Sequence, residues 1–279
     1  MKVGYVVLYE DGELVISKNH QLLNKKIIND YGEFEDTNVP WKNEYSQIKK
    51  VQILDQVKSN YMQEWFEDCI NLTKLINFQN LDVSNCTDFS GMFAYCEALE
   101  DLNELQHLNV SNGTDFSFMF SNCKSLQDIS ALENWNVSKV ENFSSMLAFC
   151  KSLQDTNGLQ NWNVSNGTNF SRMFKFCESL QNTNVLKTWN VSNGTDFLYM
   201  FASCESLQNI NALETWNISN GKYFFGMFQI CQSLKKISLP KSMKYLNRDM
   251  FFQCNSTLKI HWKNHIYTYA DLLEYQTIS

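Results

Sequence analysis

Proline and glycine are scarce, at two and ten in 279 residues. That excludes collagen-like and proline-rich linker classes. No apolar run approaches the roughly 18–20 residues needed to span a bilayer, so membrane insertion is not expected. Positive charge is also short. Lys and Arg number 23 against 30 Asp and Glu, leaving a net charge of −7. A phosphate backbone must be met by a cationic excess, so no nucleic-acid partner is expected. The start, Met1-Lys2-Val3-Gly4-Tyr5, runs into Glu10-Asp11-Gly12-Glu13 where a secretory signal would carry an apolar stretch. No C-x-x-C pair, nucleophile elbow, phosphate loop, dinucleotide fingerprint or D-x-D-x-D-G calcium loop occurs. The expectation is therefore no catalytic residue, no cofactor and no metal. Apolar residues make up 44% of the chain, enough for a substantial core.

The cysteines reveal the organisation. Eight of nine fall in register: Cys69, Cys96, Cys123, Cys150, Cys177, Cys204, Cys231 and Cys254. Successive spacings are 27 six times, then 23. Each cysteine ends the same phrase, as in Asp115-Phe116-Ser117-Phe118-Met119-Phe120-Ser121-Asn122-Cys123, and a leucine follows three residues later, from Leu72 to Leu234. A second phrase, Trp135-Asn136-Val137-Ser138, recurs at Trp162, Trp189 and Trp216 and softens to Leu81 and Leu108. Self-similarity at a fixed period is the signature of a repeat architecture.

One unit can be read physically. Ser125-Leu126-Gln127-Asp128-Ile129 suits one strand of a parallel stack. The Asn-Gly pairs at Asn112, Asn166, Asn193 and Asn220 are expected to supply positive-φ turn positions. Phe116, Met119, Phe120 and Cys123, spaced by three and four, predict one short helix or helical turn. A single unit cannot bury that face alone, so neighbours must stack. Eight layers about 4.8 Å apart give a rod of about 40 Å.

The D-F-S-x-M-F-x-x-C-x-S-L phrase, joined to W-N-V-S-N, resembles the leucine-rich repeats of BspA-type bacterial surface proteins. Those repeats read V-T-N-M-S-x-M-F-x-x-C-x-S-L. The resemblance covers about residues 60–258. The 23-residue final unit, from Leu234 to Cys254, is similar to the shorter Treponema-type variant, and Gly4–Val15 resembles the strand-rich leader that precedes such repeats. The implied fold is an α/β repeat solenoid, a right-handed leucine-rich-repeat stack of short parallel strands and short helical turns. Residues 1–58 are read as an N-terminal β cap opened by a hairpin at Asp11-Gly12. Residues 59–258 are read as the solenoid, and 259–279 as a C-terminal cap with a short helix over Tyr269–Tyr275.

The eight in-register cysteines are expected to form a stacked column of small buried side chains. Cys86 lies off that register and is the candidate accessible thiol. The recurring Asn-x-Ser/Thr triplets at Asn109, Asn136, Asn163, Asn190 and Asn217 would be glycan acceptors in a eukaryotic secreted protein; their place in every repeat argues for a turn role instead. Asp88, Asp115 and Asp196 are read as caps of the following helical turn. His261 and His265 would share one face if helical. His20 and His107 are read as surface residues.

Positions that vary while the framework repeats are the candidate partner-binding residues. One face changes from Glu100-Asp101 through Gln127-Asp128, Gln154-Asp155, Gln181-Asn182 and Gln208-Asn209 to Lys235-Lys236. The named candidates there are Asp101, Asp128, Asp155, Lys235 and Lys236. A second column holds Gly91, Phe118, Ser145, Arg172, Tyr199 and Gly226, with Phe118, Arg172 and Tyr199 as candidates. Drift at solvated positions is the alternative reading of both. The whole reads as a monomeric, non-enzymatic module for a protein partner. The resemblance implies a bacterial cell-surface or secreted role in adhesion or host-protein binding. An intracellular effector or scaffold is the alternative, and an enzyme the third.

Overall fold

A computed structural model describes residues 1–274 and 277–278. Strands β1 (Lys2–Tyr9) and β2 (Glu13–Ser17) form the expected hairpin, and β3 (Ile27–Glu35) pairs antiparallel with the other edge of β1. Gly12 holds the turn at φ +82°, donating its N–H to the Tyr9 carbonyl at 2.9 Å. β4 (Lys50–Ile53) then runs parallel to β2, and β6 (Lys74–Ile76) parallel to β4. The sheet order β3-β1-β2-β4-β6 converts an antiparallel cap into a parallel stack. A second arm starts with the parallel pair β5 (Val57–Lys58) and β7 (Leu81–Asp82). Beneath lie Trp41 and Trp65, whose indole N–H groups donate to the carbonyls of Trp65 and Asp36.

Each later coil is tied to the next along two arms. On the Gln-Asp arm the contacts are sparse: Ser125 and Gln127 donate back to the carbonyls of Glu97 and Glu100. The Phe-Ser-x-Met-Phe arm is the denser one, and it is not a helix. Phe89, Gly91, Phe93 and Tyr95 donate forward to the carbonyls of Asp115, Ser117, Met119 and Ser121, while Met92, Ala94 and Cys96 donate locally to the residue three back. Alternate N–H groups thus build a ladder and a chain of turns at once. Two residues per coil must be left-handed for this, as at Phe118 (φ 58°) and Asn122 (φ 61°). Among the described residues the coils hold no α-helix. Their helical content is 3₁₀ turns elsewhere, at Phe78–Asn80, Asn103–Leu105, Ser130–Leu132, Asn157–Leu159, Asn184–Thr188 and Asn211–Thr215, and on this arm in the shortened last unit, at Arg248–Phe251. Asp88 and Asp115 accordingly cap no helix; each accepts the N–H two residues ahead, from Ser90 and Ser117.

Columns of identical side chains fill the interior. Phe143, Phe170, Phe197 and Phe224 stack with ring centroids 5.4–5.6 Å apart and within 10° of parallel. Trp135, Trp162, Trp189 and Trp216 each donate the indole N–H to the carbonyl thirty residues upstream. The Asn-Gly pairs differ from expectation, because Gly113, Gly167, Gly194 and Gly221 are not at positive φ. Ring crowding favours glycine in those coils: a Cβ on Gly167 would lie 2.4 Å from the Phe170 ring, although Cys86 and Val140 carry one at the equivalent position of their own coils.

The last unit supplies β8 (Lys236–Ser238) and β9 (Leu246–Asn247). β10 (Lys259–Trp262) pairs parallel with β8, and β11 (His265–Thr268) closes the edge antiparallel to β10. So β10 is both the final rung of the stack and the first strand of the cap. Helix α1 (Tyr269–Leu273) follows, with a capping box between Thr268 and Asp271. Tyr275, expected at its end, lies outside the described residues. β12 (Thr277–Ile278) pairs with β9.

Candidate partner-binding surface

The left-handed position of the dense arm is the variable column noted in the sequence. Gly91, Phe118, Ser145, Arg172, Tyr199 and Gly226 all sit there, at φ between 55° and 63°. Their amides hold them in line: Phe118 donates to Ser144, Arg172 to Leu198 and Tyr199 to Phe225 at 2.8–3.0 Å. L-residues pay about 1–2 kcal/mol in this conformation and glycine does not. Gly91 and Gly226 exploit that freedom; the first coil carries Glu64 there at φ 57°, and the coils between the glycines carry Phe118, the small buried Ser145, Arg172 and Tyr199. Phe118 is 50% exposed and Arg172 is exposed. Tyr199 is half-buried, between the Arg172 guanidinium 5.6 Å from its ring centroid and the edge of Phe225. The Lys175 ammonium lies 4.9 Å from Tyr199 and 5.2 Å from Phe176. Burial, with Arg172 nearby, holds the Lys175 pKa below its ordinary value. The Phe149–Phe176 stack (4.7 Å) continues the aromatic stripe beside it. Phe118, Arg172 and Tyr199 thus share one column.

Asp101, Asp128, Asp155 and Lys236 share another, on the sparser arm. Parallel pairing joins Asp155 to Asn182, Asn209 to Lys236, and Lys236 to Lys259. At the other end it joins Lys50 to Lys74. The gradient is therefore not one-way. The column reads Lys50, Lys74, Asp101, Asp128, Asp155, Asn182, Asn209, Lys236, Lys259, with basic ends around an acidic centre. Each central carboxylate accepts the N–H two residues on, from Asn103, Ser130 and Asn157. One oxygen of Asp101 and of Asp155 is thereby committed to a turn, and both oxygens of Asp128 are, since the Ser130 hydroxyl also donates to it. Lys235 stands in the neighbouring column, exposed, its amide donating to Gln208.

All eight ladder cysteines are buried. From Cys96 onward each thiol donates to the carbonyl of a preceding coil, as Cys150 does to Phe120 at 3.2 Å. Burial pushes these thiols up, Cys150 and Cys254 to about 12. Cys86 is a correction: it is 0% exposed, its thiol donates to the Ser59 carbonyl at 3.1 Å, and burial pushes it up to about 12. It stands 27 residues before Gly113, so it fills the slot that later coils give to Gly113, Val140, Gly167, Gly194 and Gly221. The repeat offset itself was the signal that could have placed it.

The recurring Asn residues carry turns. Asn136 accepts from the Ser138 amide, and Asn166 donates to the Ser138 carbonyl one coil back. His261 and His265 lie on β10 and β11, not on a helix. His107 is exposed, and His20 sits 2.7 Å from Asp30. No group of three metal-ligating side chains occurs among the described residues, and no described helix is long and apolar enough to cross a membrane.

Coils of 27 residues, joined by parallel ladders over buried leucine and cysteine columns, define a leucine-rich-repeat solenoid. The chain belongs to the family described as "Mycoplasma protein of unknown function, DUF285", whose model matches residues 41–156 and 149–261, a repeat family of BspA-like kind. Solved structures with similarity include a leucine rich cell surface protein from Faecalibacterium prausnitzii A2-165, at 15% identity and TM-score 0.26, covering 95% of both chains. A leucine-rich repeat protein from Eubacterium ventriosum is 12% identical at TM-score 0.30, covering 94% of this chain and 84% of its own. One from Bacteroides ovatus is 15% identical at TM-score 0.20, covering 94% and 98%. No curated protein matches the chain.

Proposed function

We propose that this protein is a monomeric, non-enzymatic binding module, a right-handed leucine-rich-repeat stack that holds a protein partner along its left-handed column. One observation carries the reading. Phe118, Arg172 and Tyr199 occupy positions where the backbone favours glycine, and two coils of the same column, at Gly91 and Gly226, place glycine there. Strained residues at a variable surface column point to use, although a second left-handed position, from Asp68 to Gln253, recurs in the coils without glycine; Phe, Tyr and Arg are the side chains that dominate interface centres. The BspA-type repeat supports an outward-facing, adhesive setting. Nine unpaired cysteines favour the second reading, an intracellular effector or scaffold in a reducing compartment.

The test uses Phe118→Gly, Arg172→Gly and Tyr199→Gly combined, which deletes the side chains while relieving the backbone. Protein captured from source cells by the wild type and released by this variant at unchanged thermal stability supports the column. Equal capture by both sinks it. Protease shaving of intact cells separates the settings: peptides released before lysis place the protein outside, and peptides seen only after lysis place it inside.

A further inference from the structure

The interior Phe column stops at Phe224. The shortened last unit has no aromatic to follow it, and Leu246-Asn247-Arg248 pass where the next ring would stand. Phe224 is fully stacked on Phe197 below, at 5.4 Å and 1°, but only half-buried. The step between the two units opens a cleft of about 560 Å³. Tyr223, Phe224 and Phe225 wall it from one side and Met243 and Tyr245 from the other. Three of these aromatics are largely in solvent: Tyr223 at 55%, Phe225 at 49% and Tyr245 at 61%. Aromatic side chains so exposed around a concavity mark a binding site more often than isolated apolar residues do.

The charge around the cleft is equally uneven. Exposed Lys222 and Lys244 form its rim. From Lys222 to Lys263 the chain carries eight Lys and Arg and one acidic residue, Asp249, in a protein whose net charge is −7. Among the described residues neither rim lysine pairs with a carboxylate. Exposed Lys263 and Lys241 extend the basic surface around the same end.

We infer that this cleft is a second docking site, for an acidic peptide segment of a protein partner that inserts an aromatic or aliphatic side chain onto Phe224. The anchor would continue the interrupted stack, and flanking Asp or Glu would meet Lys222 and Lys244. A cleft of this volume accommodates one or two side chains. A long polyphosphate would have to approach a chain whose remaining charge is strongly negative, which favours the peptide over a nucleic acid.

Selection of a random twelve-residue peptide display library on the immobilised full chain tests this directly. Enriched peptides should carry Phe, Trp or Leu flanked by Asp or Glu. The best one, synthesised with a fluorescent label, should bind in solution and weaken at least about tenfold in Lys222→Glu/Lys244→Glu and in Tyr245→Ser. All three positions are exposed, so the variants should melt with the wild type. The triple glycine variant of the left-handed column should bind this peptide normally, which separates the two sites. Enrichment without an acidic bias, or binding that survives both cleft variants, overturns the inference. Tighter binding of oligothymidylate than of the peptide would assign the cleft to nucleic acid, and charge-reversal-sensitive self-association in sedimentation would assign it to a second copy; either outcome also overturns it.

Discussion

The left-handed column makes an inverted prediction about glycine. At an ordinary exposed position Ala is more stable than Gly, because glycine has more freedom to lose on folding, by roughly 0.5–1 kcal/mol. At Phe118 the order should reverse. Its φ is 58°, and its amide is fixed by the bond to the Ser144 carbonyl at 2.9 Å, so the residue cannot relax to negative φ without breaking the ladder. An Ala there retains the left-handed penalty of about 1–2 kcal/mol, and a Gly does not. Subtracting glycine's entropic disadvantage leaves Phe118→Gly more stable than Phe118→Ala by about 0.5–1 kcal/mol. Comparing Gly with Ala cancels the loss of the half-exposed ring, which is common to both. For a chain of this size the difference is about 1–3 °C in melting temperature, read by calorimetry on the two variants side by side. The same pair at Gln127, exposed and not left-handed, should show the normal order. If Phe118→Ala equals or exceeds Phe118→Gly while Gln127 behaves normally, the strain argument fails, and with it the reason for treating this column as selected.

The thiols predict alkaline instability. Their pKa values are raised in the fold, so both states are neutral below pH about 8, and above the unfolded value of about 8.5 only the unfolded chain ionises. Stability should then fall by about 1.4 kcal/mol per buried thiol per pH unit, giving a steep unfolding transition by far-UV circular dichroism well below pH 12; a flat profile to pH 11 would contradict the burial. At pH 8 a maleimide should label none of the nine cysteines in native protein, Cys86 included, and all nine after denaturation, counted by intact-mass spectrometry. Cys150→Asp should cost about 3 kcal/mol or more by burying an unpaired carboxylate, measured in urea. Gly167→Ala should lower stability by about 1–3 kcal/mol through collision with the Phe170 ring, whereas unchanged or raised stability would show that the slot has room for a Cβ.

The period, the buried columns and the opening hairpin were legible because each follows from one-dimensional spacing. The helical reading of Phe116, Met119, Phe120 and Cys123 failed for a specific reason. A chain of turns in which every second amide reaches the next coil buries residues at the same three-and-four spacing as a helix. Only the hydrogen-bond destinations separate the two, and they lie 26 residues away, as Phe116 to Asn142 and Phe120 to Met146. The Asn-Gly pairs are explained by a different cause from the one expected: the ring three residues on, as Phe116 for Gly113, lies over the glycine, and that follows from side-chain placement and not from backbone φ. On the candidate surface, Phe118, Arg172 and Tyr199 were recognised from variability alone, and nothing local announced their left-handed backbone. Lys50, Lys74 and Lys259 escaped notice because the spacings at the two ends depart from 27, so the basic ends of the acidic column fall out of register in the sequence. The terminal cleft was hidden in the same way, since it is created by four residues that the last unit does not have.

The constancy of the coil has a consequence for heredity. Because neighbouring units share length, phrase and register, the coding segments beneath them resemble one another too, and misaligned recombination between them would remove or add a whole number of coils. Each such event would leave the Phe, Trp and Cys columns intact and both caps in place. What would change is the order of the residues displayed along the left-handed column. A protein built this way can reshuffle its recognition surface by counting, without passing through an unfoldable intermediate.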